Sequence, residues 1–111
     1  MSERSLDELL EINGVVAAGE FGPDGTVVDF KSALELGAPA RDLAARLSAK
    51  VNETFEQLAR TYSSMTTMNW LPRRFWCYSG GDWTVAVGGN RLVFSETAST
   101  DFAALFRALS G

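Results

Sequence analysis

The chain of 111 residues contains no histidine and only one cysteine, Cys77. The missing histidine removes the commonest general base and the commonest metal ligand together. With so little cysteine, Ser-His-Asp triads, Cys-His pairs and the usual zinc ligand sets are excluded within one chain. No intramolecular disulfide can form. Cys77, mid-strand and with no histidine to activate it, reads as a small buried hydrophobe; disulfide bonding across a dimer interface is the other reading. Long apolar runs are also missing, and no window approaches the roughly 18 residues of a membrane span. Met1-Ser2-Glu3-Arg4-Ser5 leads into an acidic helix without the apolar core of a signal peptide. A cytoplasmic protein with no membrane partner is the expectation. Positive charge is scarce: 10 Lys and Arg against 14 Asp and Glu leave a formal charge of −4. That balance argues against a nucleic-acid partner held through its phosphates.

What is present suits one ordinary globular domain, residues 1–111, with 46% apolar and 22% charged residues. Ser5-Leu6-Asp7-Glu8 fits a capping box, and Leu6, Leu9 and Leu10 share one helical face before Asn13-Gly14 stops the turn. Val15 to Phe21 is apolar almost throughout, which suits a strand covered on both faces. Gly19 within it implies a bulge or a close neighbour. Gly22-Pro23-Asp24-Gly25 is a turn, and Thr26 to Phe30 returns antiparallel.

Ser32 to Ala38 leads irregularly to Pro39, which suits the first position of a helix. From Ala40 to about Ser64 the spacing predicts one long helix. Ala40, Leu43, Ala44, Leu47, Val51, Phe55, Leu58, Tyr62 and Met65 form its apolar stripe, and Arg46, Lys50, Glu53, Glu56, Gln57 and Arg60 lie opposite. At 1.5 Å per residue it spans about 37 Å, the width of a whole sheet. Its flank carries Ala45, Ser48, Asn52 and Ala59, small residues that would let a second helix approach.

Three further strands are expected over Arg73–Tyr78, Trp83–Val87 and Arg91–Glu96, joined at Gly80-Gly81-Asp82 and Gly88-Gly89-Asn90. A last helix, capped by Ser99 or Thr100 and stopped by Gly111, carries Phe102, Leu105, Phe106 and Leu109. The order α-β-β-α-β-β-β-α predicts an α/β chain of α+β type. Its five-stranded antiparallel sheet should have the long helix on one face and the terminal helices on the other.

That order resembles the roadblock family of dynein-light-chain-type proteins, including its prokaryotic branches. The resemblance runs from about Leu6 to Leu109 and is carried by Leu9, Ile12, Gly14, Val15 and Asp24-Gly25; profilin-like and longin domains share parts of the layout. The segment Asn69 to Trp76 and the loop Ser32 to Ala38 depart from the eukaryotic light chains. The resemblance implies a non-enzymatic scaffold or regulator. It would form a homodimer through the long helix and the neighbouring edge strand, with a protein partner such as a small Ras-like GTPase. It implies no cofactor.

Two readings of Trp70, Arg73, Arg74, Phe75, Trp76 and Tyr78 stand. Aromatics mixed with arginines are typical of binding hot spots. Equally, Phe75 and Trp76 could fill the core on opposite faces while the arginines are solvated. Two arginines make too thin a basic patch for single-stranded nucleic acid. The carboxylates show no catalytic pairing, and the glycine pairs open strands, whereas a phosphate cradle must open a helix. The rival to a scaffold is a small-molecule sensor with Trp76, Tyr78 and Trp83 lining a pocket between helix and sheet.

Overall fold

The computed structural model describes residues 5–110; Met1 to Arg4 and the expected helix stop at Gly111 lie outside the described residues. The elements run α1 (Leu6–Leu10), β1 (Val15–Phe21), β2 (Val27–Ser32), α2 (Ala38–Met65), β3 (Trp76–Gly80), β4 (Trp83–Gly88), β5 (Arg91–Glu96) and α3 (Phe102–Leu109). All pairings are antiparallel, in the spatial order β2-β1-β5-β4-β3. β2 and β3 are therefore the two edges. Among the described residues no helix is long and apolar enough to cross a membrane.

Local chemistry explains most boundaries. Ser5 and Glu8 form the reciprocal capping box of α1. At the first turn Asp24 Oδ1 accepts from the Thr26 hydroxyl at 2.6 Å and the Thr26 amide at 3.1 Å. These two bonds, the hydroxyl's first, hold the Asp24 carboxyl below its ordinary range. Gly81 and Gly89 both have φ of +59°, as the first central residue of a type II′ hairpin requires. Gly19 meets a close neighbour, since a Cβ there would lie 2.6 Å from the Phe30 ring. The irregularity in the β1–β2 register falls one residue later, between Glu20 and Phe21.

Several boundaries differ from the sequence expectation: β2 continues to Ser32, β3 to Gly80, and α2 begins at Ala38, which makes Pro39 its second residue. β3 begins at Trp76, so Arg73, Arg74 and Phe75 belong to the strap joining α2 to the sheet. The cap of α3 is Asp101, whose carboxylate accepts from the Ala104 amide at 3.1 Å; Thr97–Ser99 forms a separate 3-10 turn before it. Ser99 and Thr100 are hydroxyl residues of suitable type, but the intervening turn moves the helix start past both.

The core has two layers. On one face α1 and α3 cover Val15, Ala18, Ala86 and Val93 with Leu6, Leu9, Leu105 and Leu109. On the other, α2 packs Ala45 near Phe21, Val87 and Leu92. The long helix is 28 residues and continuous, about 42 Å at 1.5 Å per residue. That length is comparable with the longest dimension of the molecule, 44 Å.

Candidate interaction surface

Helix α2 is rolled away from its expected setting. The small residues Ala45, Ser48 and Ala59 are buried within this chain rather than on an outer flank: Ala45 packs near Phe21, Val87 and Leu92 of the sheet, and Ala59 lies beside Trp70, Arg73 and Phe75 of the strap. They correct the expectation of a small-residue flank open to a second helix. Asn52, the fourth of that set, is also engaged within the chain. Its Oδ1 accepts from Trp76 Nε1 at 2.7 Å and from Arg73 Nη1 at 3.0 Å, while Nδ2 donates to the Gly89 carbonyl at 2.9 Å. One side chain thereby ties α2 to the strap, to β3 and to the β4–β5 turn.

The physical reason is distance. Small side chains under the helix allow it to sit low over β1, whose inner positions include Ala17 and Gly19, both buried. The large apolar stripe lies about 100° further round the helix axis. It is left substantially uncovered: Leu43, Leu47, Leu58 and Tyr62 are exposed, with Leu47 at 55%, and Met65 reaches 77%.

α2 also comes nearest to β1 and β2. Five strands about 4.8 Å apart make a sheet roughly 20 Å wide, while a helix about 10 Å across covers about two of them. The β4–β3 side of this face is consequently open. An apolar groove of about 380 Å³ lies there, with Leu43, Leu47 and Val51 of α2 as its wall and Trp76, Tyr78, Val85 and Phe94 of the sheet as its floor. Trp83, the third aromatic expected in a pocket, does not line it.

The other residues singled out by sequence are distributed unevenly. Trp70 is exposed and meets Tyr62 edge to face at 5.1 Å, prolonging the apolar stripe past the end of α2. Arg74 is exposed. Arg73 is half-buried, held by Asn52 and 3.7 Å from Glu56. Phe75 and Trp76 turn to opposite faces of the sheet, Phe75 against Phe106 at 5.2 Å and Trp76 against Phe55 at 5.8 Å. Tyr78 stands 67% exposed at the groove's outer margin. Sequence reasoning missed the exposure of Leu43, Leu47, Leu58 and Met65. The signal available was the second row, Ala45, Ser48, Asn52 and Ala59, whose small size marks the side that approaches a backbone.

The two sheet edges are unlike. β2 carries Asp29 and Lys31, and Lys31 Nζ pairs with Asp7 of α1 at 3.0 Å, raising the lysine pKa. Charges of this kind discourage strand addition. β3, Trp-Cys-Tyr-Ser-Gly, carries no charge, and Cys77 on it is exposed rather than buried. Among the described residues no group of His, Cys, Asp and Glu is placed to hold a metal ion.

Compared with known proteins, residues 5–111 match a family model described as Uncharacterized conserved protein (DUF2173). No curated protein matches the chain. Among solved structures, a Roadblock/LC7 domain from Streptomyces avermitilis is 14% identical with a TM-score of 0.78, covering 97% of this chain and 89% of that one. The gliding protein MglB from Thermus thermophilus is 19% identical with a TM-score of 0.69, covering 95% and 82%. A structure described as MglB with tetrameric arrangement is 20% identical with a TM-score of 0.72, covering 94% and 79%. At these identities the likeness is one of fold, and the fold is that of Roadblock/LC7 domains.

Proposed function

The chain belongs to the DUF2173 family of uncharacterized conserved proteins and carries a Roadblock/LC7 fold, and from that premise we propose that it works as a cytoplasmic, non-enzymatic homodimeric module that scaffolds or regulates a protein partner. The observation that carries this reading is the half-covered sheet face beside an uncharged edge. Apolar side chains line both the free side of α2 and the open strands, and a second α2 supplies what one helix is too narrow to cover. Pairing of β3 with its copy would extend the sheet in the same movement, using an edge that lacks the charges of β2. Closed two-fold contacts of this self-complementary kind are the commonest in soluble oligomers.

The exposed Trp70 and Arg74, at the end of the same apolar stripe, are the proposed contacts for a further partner. Roadblock resemblance makes a small Ras-like GTPase the class of choice. The chain itself has no phosphate-binding loop of Walker type, so nucleotide chemistry belongs to that partner.

Light scattering at micromolar concentration is expected to give about twice the 12.0 kDa chain mass; a mass of one chain overturns the dimer. A Ras-like GTPase from the same host should change its nucleotide hydrolysis or exchange rate when this protein is added. An Arg74→Glu variant should lose that effect while remaining dimeric. The groove also favours a second reading, since Trp76 and Tyr78 line it: a small apolar ligand could occupy it instead of another helix. A large rise in Tm with a metabolite, accompanied by monomeric mass, would select that alternative.

A further inference from the structure

On the other flank of α2 a cleft of about 520 Å³ opens between mid-helix, the β1–β2 turn and the β4–β5 turn. It shares no lining residue with the apolar groove, so binding in the cleft does not depend on dimerisation. Its volume falls in the range of small-ligand sites. Phe21, Pro23, Val28 and Ala49 give it apolar surface, and Val28 is 63% exposed.

The charges in its wall are unequally matched. Glu56 lies between two guanidinium groups, 3.4 Å from Arg60 Nη2 and 3.7 Å from Arg73 Nε. Arg73 is further committed through Nη1 to Asn52. Glu53 also lines the cleft and has no ion pair or hydrogen-bond partner through its side chain among the described residues. An anion entering here would meet two carboxylates and an arginine paired with one of them, whose Nε lacks a hydrogen-bond partner but is buried out of reach of the cleft. A cation would meet an unmatched carboxylate beside apolar surface.

We propose that this cleft binds an aliphatic cation, an alkyl ammonium or guanidinium group. Its hydrocarbon stem lies on Pro23, Val28 and Ala49, and its charged head pairs with Glu53. Such a group is found both on free amines and on the lysine and arginine side chains of a protein. Long basic side chains bury the stem while keeping the charge at the rim, which matches the layout of apolar floor and carboxylate wall.

The test is an amide NMR titration of the intact protein with four probes: hexylamine, Nα-acetyl-lysine methylamide, hexan-1-ol and hexanoate. Hexylamine should bind with a Kd on the order of 1 mM, as suits a ligand of so few atoms. Shifts should centre on Val28, Glu53, the Gly89 amide and the Asn52 side-chain amide. A tighter fit for hexylamine identifies a free amine as the source, and a tighter fit for the capped lysine identifies a protein side chain. Glu53→Gln should weaken both amines at least fivefold without altering the rest of the spectrum. Equal binding of hexanol or hexanoate, unchanged affinity in the variant, shifts confined to the groove near Leu47 and Tyr78, or no shifts at all would each overturn the assignment.

Discussion

At the residue scale, two positions hold the layers together by different physics. Gly88 ends β4 where the C-terminus of α3 crosses it, and a Cβ there would run into the backbone carbonyl of Leu109. Main chain cannot swing aside as a side-chain tip can, so Gly88→Ala must displace the end of α3 and the buried Leu109. The expected cost is about 2 kcal/mol, in line with other overpacked sites. Urea denaturation should show a lower midpoint, and hydrogen exchange should place the loosening in α3; an unaltered midpoint would contradict the contact.

Asn52 acts through polarity instead. Asn52→Leu keeps the branching and heavy-atom count of the side chain but leaves the Trp76 indole, the Arg73 guanidinium and the Gly89 carbonyl each short of a partner. Stranded polar groups cost more than a hydrogen bond contributes, so a loss of about 2–4 kcal/mol is expected. The indole should report it as a change in tryptophan fluorescence. Asp24 adds a pH signature. Its carboxyl is acidified in the fold, so its contribution is complete above the ordinary carboxyl pKa and fades as pH falls through the lowered folded value. The stability gap between wild type and Asp24→Ala should therefore close in acid, and a gap that widened there would contradict the turn's bonding.

At the element scale, legibility followed how local the cause was. The capping box at Ser5 and Glu8, the hairpins at Gly81 and Gly89 and the β5 limits at Arg91 and Glu96 depend on neighbours in sequence, and all were readable. The roll of α2 was not. Hydrophobic periodicity finds the apolar stripe, but which side faces the sheet depends on how closely helix and sheet can approach. The small Ala45 and Ser48 on its underside decide that, by letting the helix settle close to the sheet. The start of β3 also escaped, because Arg73 is held by Asn52 and Glu56, twenty-one and seventeen residues back in the chain. The roll of the helix leaves Leu47 on the groove wall, more than half exposed. Leu47→Glu should leave the circular dichroism spectrum and the fold intact, because nothing in this chain buries the side chain fully. Placed against a second helix, the same charge would be costly to desolvate. The variant is expected to elute as a monomer in size-exclusion chromatography, and an undiminished dimer would remove this face from the interface.

At the scale of the whole molecule, the open half of one sheet face links stability to concentration. A domain of this size has little free energy to spare, and here one layer of its core is finished on one side only. If a second copy completes it, unfolding and dissociation are coupled, and the melting temperature becomes a function of protein concentration. Tm should then rise by several degrees as wild-type protein is taken from about 1 to 100 μM. Leu47→Glu should show a lower Tm that does not move over the same range. The β2 edge offers a control, because Val28→Glu changes an exposed apolar residue at the edge of the sheet opposite β3. That variant should keep the wild-type concentration dependence. A wild-type Tm that is flat from end to end would mean that the exposed stripe of α2 carries no second copy, and that the sheet face is completed by something other than this chain.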